Sequence, residues 1–129
     1  MKRFLVLGST GQVGWELRRS LAPLGDVIAL DRGGGAQLPN GAPACGDLTR
    51  LEALADTVRA LRPDVVINAA AYTAVDRAET ERVVADVINA RAPGVLGGAC
   101  AEIDALLVHY STDYVFDGSG TTPRHCDHW

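Results

Sequence analysis

The chain has 129 residues, 47% of them hydrophobic and 22% charged, with a formal net charge of −4. That length and balance fit one globular domain and exclude a disordered chain, and the absence of any basic cluster argues against a nucleic-acid binder that works by neutralising phosphates. No apolar run approaches the ~20 residues of a membrane-spanning helix, and the apolar stretch before Gly8 is too short for a signal-peptide core. The cysteines, Cys45, Cys100 and Cys126, are odd in number and far apart, which disfavours a disulfide framework and leads us to expect a reducing, cytoplasmic setting.

In chain order, Arg3–Gly8 (RFLVLG) is a continuous apolar run ending in glycine, the pattern of a strand buried on both faces. The segment QVGWELRRSLAPLG places Val13, Leu17 and Leu21 on one helical face and stops at Pro23–Gly25. Asp26–Asp31 is a second strand, Gly33–Pro43 a loop by composition, and Ala44–Asp47 a candidate for a very short third strand. Leu51, Leu54, Ala55, Val58 and Leu61 recur at helical spacing, with Thr49 or Asp47 as the expected cap. Asp64–Ala71 is a fourth strand, and the helical stretch that follows from Asp76 restarts at Pro93, a residue suited to a first helical turn. Ala105–Ser111 is a fifth strand, and the apolar patterning stops after Phe116. Strands alternating with helices predict an α/β fold: a Rossmann-like, doubly wound parallel sheet, incomplete, of about five strands in the order 3-2-1-4-5. Such sheets bind ligands at the carboxyl ends of their strands, where the strand order reverses.

The turn GSTGQVG sets Gly8, Gly11 and Gly14 between the first strand and the first helix. Three glycines there would allow a tight turn, a close approach of backbone to a pyrophosphate, and a helix N-terminus aimed at that anion. Asp31 follows Gly11 by 20 residues and ends the second strand, the place for a carboxylate that accepts from adenosine ribose hydroxyls. The bland alternatives are a turn that is only tight and an acid that is only solvated. Asp31 would repel a 2′-phosphate and Arg32 beside it would offset that repulsion, so both NADH and NADPH stay open as cofactors.

The spacing GxxGxxG, with NAAAYTAVDRAE and HYSTDYVF, resembles the extended short-chain dehydrogenases/reductases. GSTGQVGWEL, ALD, CGDL, RPDVVINAAAYTAVDRAE and VHYSTDYVFDG resemble, more narrowly, the dTDP-4-dehydrorhamnose reductase family, from about Arg3 to Gly118. The resemblance implies an NAD(P)H-dependent reductase acting on the 4-keto group of a dTDP-linked 6-deoxyhexose, with that sugar nucleotide as its small-molecule partner. It implies that Gly8, Thr10, Gly11, Gln12, Val13 and Gly14 hold the pyrophosphate and that Asp31, with Arg32, holds the ribose end. Asp47 and Leu48 would border the adenine. Ala69, Ala70, Ala71, Tyr72 and Thr73 would form a wall against which the cofactor lies, and Ser111 would sit below the nicotinamide. Thr112 would be the triad hydroxyl that meets the substrate carbonyl, and Asp113 and Tyr114 would line the sugar-nucleotide pocket. Glu16 matches a helix carboxylate that in some members helps to hold Mg²⁺ between subunits, but no metal is expected here. Asn68 is open between a structural and a catalytic role, Asn89 is expected to be structural, Tyr110 is expected to belong to the core, and Trp15 is expected to serve packing or a subunit contact.

Carbonyl reduction needs an acid for the developing alkoxide, and the resemblance assigns that task to a Tyr followed four residues later by a Lys. Four residues after Tyr72, Tyr110 and Tyr114 stand Asp76, Tyr114 and Gly118, and the sole lysine is Lys2. These residues therefore contain no such pair. Residues 1–117 are expected to be the N-terminal part of a dinucleotide-binding domain and 118–129 an off-pattern tail, with no substrate domain. Arg124–Trp129 is expected to be an out-of-frame tail of a truncated product. The tail's His125, Cys126, Asp127 and His128 lack the spacing of structural metal sites. An unpaired outer edge on the fifth strand would favour self-association.

Overall fold

The structure is a computed structural model, and it describes residues 1–71, 81–110 and 119–123. The elements are β1 (Lys2–Leu7), α1 (Gln12–Leu21) running into a 3₁₀ turn (Ala22–Leu24), β2 (Gly25–Leu30), α2 (Leu51–Leu61), β3 (Val65–Asn68), α3 (Arg82–Asp86), a π-helical turn (Val87–Arg91), α4 (Ala92–Glu102) and β4 (Leu106–His109). The strands form a four-stranded sheet in the order β2-β1-β3-β4, parallel throughout. This is the expected Rossmann-like arrangement. The chain runs outward from β1 to β2, then returns to build β3 and β4 on β1's other side.

The expected third strand does not form among the described residues. Ala44–Asp47 is irregular, because its polar backbone is satisfied elsewhere. Ala44 N–H donates to Ala36 O in the preceding loop (3.0 Å), and Cys45 N–H donates to the Thr57 hydroxyl on α2 (2.9 Å). The expected caps of α2 differ too. The residue before α2 is Arg50 and no side chain caps the helix. Asp47 instead takes the N–H and hydroxyl of Thr49, at 2.9 and 2.6 Å, inside the turn that precedes it.

Pairing register assigns the two faces of the sheet. Leu5, Leu7, Ile28, Leu30, Val66 and Leu107 share one face, where Leu54, Val58 and Leu61 of α2 and Leu96, Ala99 and Cys100 of α4 complete the core. Arg59 joins these helices on the outside through a two-pronged pair with Glu102, at 2.7 and 3.0 Å. The Glu102 carboxyl is held below its usual range by that guanidinium. The opposite face carries Phe4, Val6 and Ile67, all buried, and then Leu106 and Val108, which are exposed.

α1 contacts β1 and β2. Its expected apolar face is only partly used: Val13 is exposed, Leu17 and Leu21 are half-buried, and Gly14 is its one buried residue. Tyr110, expected in the core, is 48% exposed, since it continues the edge strand β4. The restart at Pro93 takes the form of the π turn Val87–Arg91, after which Pro93 sits in the first turn of α4. A proline cannot donate to the carbonyl four residues back and crowds it, and a wider turn relieves both defects. No helix among the described residues is long and apolar enough to cross a membrane.

Candidate functional site

The glycine turn lies where the strand order reverses. Gly8 follows β1 with φ +78°, and a Cβ there would come within 2.6 Å of Ala70 N and 2.8 Å of the Ala69 carbonyl carbon. Only glycine tolerates both the left-handed backbone and this crossing. Gly8 N–H and Ser9 N–H donate to Leu30 O at the end of β2 (3.0 and 3.1 Å), and Ala69 N–H donates to Leu7 O (3.0 Å). One turn thus ties together the carboxyl ends of β1, β2 and β3. A Cβ on Gly14 would run into the Gly8 carbonyl, so α1 starts directly against the turn.

The N-terminus of α1 is open. Its cap residue, Gly11, is extended and has no side chain to cap with, its first turn holds no acid, and Arg18 and Arg19 occupy its last turn. First-turn amides without a competing side chain, at the positive end of the helix, are the chemistry an anion requires. Thr10, Gly11, Gln12 and Val13 are exposed around it. The shape and polarity of the turn therefore fit a pyrophosphate.

Asp31 stands directly after β2. Its Oδ1 accepts from Gly33 N–H (2.8 Å), while its backbone exchanges hydrogen bonds with Gly34 (2.9 and 3.1 Å). The hydrogen bonds of the described residues leave Oδ2 for another donor. A cleft of about 410 Å³ opens beside this turn, lined among others by Arg32, Gly33, Asp47, Arg50 and Thr57. Burial disfavours the charged form of Asp47, but the two Thr49 hydrogen bonds and the charges of Arg32 and Arg50 outweigh it and hold the carboxyl below its ordinary value. Leu48, paired with Asp47 in the expectation, is 4% exposed and packs into the core, so its side chain offers a ligand little surface.

Ala69 and Ala70 are half-buried against Gly8, and Ala71 is exposed. The buried Asn68 takes Ala70 N–H on Oδ1 (3.3 Å) and sets Nδ2 3.1 Å from His109 Nδ1. With Oδ1 committed to a backbone donor, the amide hydrogens face the ring, so Nδ1 accepts. Among the described residues the geometry favours the structural reading of Asn68. His109 escaped sequence reasoning, although the register pairs it with Asn68. Arg50, on the wall of the cleft, was also missed, and no sequence motif marks it.

Asn89 is exposed in the π turn. Trp15 is 51% exposed, with the Arg19 guanidinium 5.0 Å from its ring centroid, and Glu16 lies 3.9 Å from Arg19. The expected roles of Tyr72, Thr73, Ser111, Thr112, Asp113 and Tyr114, and the tail Arg124–Trp129, lie outside the described residues.

Comparison with known proteins agrees with this geometry. A family model described as the RmlD substrate binding domain matches residues 1–128. A dTDP-4-dehydrorhamnose reductase of Escherichia coli K12 is 50% identical over 119 residues, covering 92% of this chain and 38% of the relative. The crystal structure of a hypothetical dTDP-4-dehydrorhamnose reductase from Sulfolobus tokodaii superposes with a TM-score of 0.81 at 41% identity, covering 97% of this chain and 44% of that one. A dTDP-4-dehydrorhamnose reductase from Bacillus anthracis, solved in complex with NADP, gives a TM-score of 0.76 at 37% identity over 93% of this chain and 40% of that one. The chain thus spans about two fifths of the length of the relatives it matches. With the glycine turn, the strand order and these likenesses in agreement, the chain belongs to the dTDP-4-dehydrorhamnose reductase family.

Proposed function

We propose that residues 1–117 are the N-terminal part of a dinucleotide-binding domain that holds NADH or NADPH. The observation that carries this reading is the contact of the Gly8 turn with Ala69 and Ala70, with the open N-terminus of α1 and Asp31 on the same rim. Gly8, Gly11 and the first amides of α1 take the pyrophosphate, Asp31 accepts from the adenosine ribose hydroxyls, and Ala69–Ala71 leave room for the cofactor along the end of β3. The nicotinamide, when bound, supplies a hydride. The substrate class is a dTDP-linked 4-keto-6-deoxy sugar, the setting is cytoplasmic, and Thr112 meets the carbonyl with Asp113 and Tyr114 beside it.

These 129 residues contain no Tyr followed four positions later by Lys. We infer that on their own they bind cofactor with little or no turnover, since loss of general acid catalysis costs roughly 10²–10⁴-fold. A second reading, a non-catalytic dinucleotide-binding module, is favoured by that same missing pair, and a folded relic is the third. Fluorescence titration with NADH and NADPH, followed by a turnover assay with the dTDP-4-keto sugar, separates the three. Binding without turnover is expected. Wild-type turnover like that of a complete reductase would refute the impaired reading, and failure to bind either cofactor would leave the relic.

A further inference from the structure

We propose that Arg50 is a second determinant of cofactor choice, closing with Arg32 on the 2′-phosphate of an NADP-type dinucleotide in the cleft between the Arg32–Gly34 turn and the start of α2. This inference rests on the cofactor reading above and deepens it. The cleft of about 410 Å³ has Arg32, Gly33 and Gly34 on one wall and Arg50 and Ala53 on another. Its first wall begins one residue after Asp31, the acid placed for the adenosine ribose. A ribose held by Asp31 would thus have its 2′ position near this cleft.

Among the described residues, neither arginine belongs to an ion pair of 4.0 Å or less, whereas Arg19 and Arg59 each do. Two guanidinium groups without a close ion pair thus line one cleft, and both act at longer range on Asp47. The wall that carries Arg50 is also the N-terminus of α2, which has no side-chain cap, so the positive end of the helix reinforces the same field. Two carboxylates border the cleft, and both are already engaged. Asp56 pairs with Arg59 at 3.0 Å, and Asp47 Oδ1 takes both donors of Thr49. Glu52 lies in the first turn of α2 but not on the cleft.

Charge arithmetic explains why one arginine is not enough. Asp31 and Asp47 place two negative charges near a dianionic phosphate, and Arg32 alone offsets only one of them. Arg50 offsets the second, and the two guanidinium forks then hold the phosphate through charge-assisted hydrogen bonds, while Asp31 still serves an unphosphorylated ribose. The proposed site therefore accepts both cofactors and reads the phosphate through the arginine pair.

The test is fluorescence titration of the full chain with NADPH and NADH, wild type against Arg50→Ala and Arg50→Gln. We expect NADPH binding to weaken about tenfold or more, the range for losing a charge-assisted bond, with NADH binding unchanged. The unchanged NADH affinity also shows that the variants fold. Lys2→Ala, which removes a charge at the start of β1, should move neither affinity. Equal weakening of both cofactors, or no change in either, overturns the role of Arg50 while leaving the cofactor reading intact. Failure of the wild type to bind either cofactor overturns that reading and this inference with it.

Discussion

The two faces of the sheet are built from the same kind of residue and end in different states. On one, Leu5, Leu7, Leu30 and Val66 are fully buried beneath α2 and α4. On the other, burial is complete at Val6 but fades across the sheet to Leu106 and Val108, 62% and 36% exposed on the edge strand β4. Apolar character in a strand therefore states only that a partner is suitable; the helices that arrive decide which side chains leave water. The closed face supplies rigidity, and the site is assembled at its upper rim, where the turn after β1 crosses β3.

The sharpest way to break this comparison is to make one substitution on both faces. Leu54→Ala in the closed core should lower the unfolding free energy by about 2–5 kcal/mol in urea titration, while Leu106→Ala on the open face should stay within ~0.5 kcal/mol of wild type. Equal losses would mean that the open face is covered in solution. Self-association through β4 would then be the cover, and Leu106→Lys with Val108→Lys would reduce the mass seen by light scattering. Next in size is Asn68→Ala. It leaves Ala70 N–H without its acceptor and should cost roughly 1–2 kcal/mol, loosening the end of β3 that the Gly8 turn touches. The smallest effect belongs to the exposed pair of Arg59 and Glu102. A carboxyl held below its ordinary value of 4.5 contributes stability that is complete above that pH and is lost as pH falls through the lower, folded value. Acid titration of wild type against Glu102→Gln should show the two curves converging only below that point.

Much of the architecture could be read from residue order, because parallel strands buried on both faces and an amphipathic α2 leave patterns of period and length. The glycine turn was legible for the same reason: Gly8, Gly11, Gly14 and Asp31 are local in sequence and their spacing carries the geometry. What escaped was decided by tertiary partners. Ala44–Asp47 lost its strand to Thr57 and Ala36. Val13 and Tyr110 look like core residues but, among the described residues, meet no helix that buries them. Arg50 lies 18 positions from Arg32, and only the fold brings both to one cleft. His109 gains a role from its pairing with Asn68 across adjacent strands.

The measurement that bears most directly on the central claim is cofactor binding by Gly11→Asp. Gly11 is the cap of α1, with φ −73° and ψ 171°, a conformation any residue adopts, and a Cβ there meets nothing closer than the Gly8 carbonyl oxygen at 3.5 Å. Aspartate is a better cap than glycine by a few tenths of a kcal/mol, so the fold should be as stable as wild type or slightly more so. The same carboxylate would occupy the first amides of α1 and repel a pyrophosphate. The account predicts an unchanged or raised Tm together with loss of NADH and NADPH binding. A Gly11→Asp chain that binds either cofactor as tightly as wild type would contradict it.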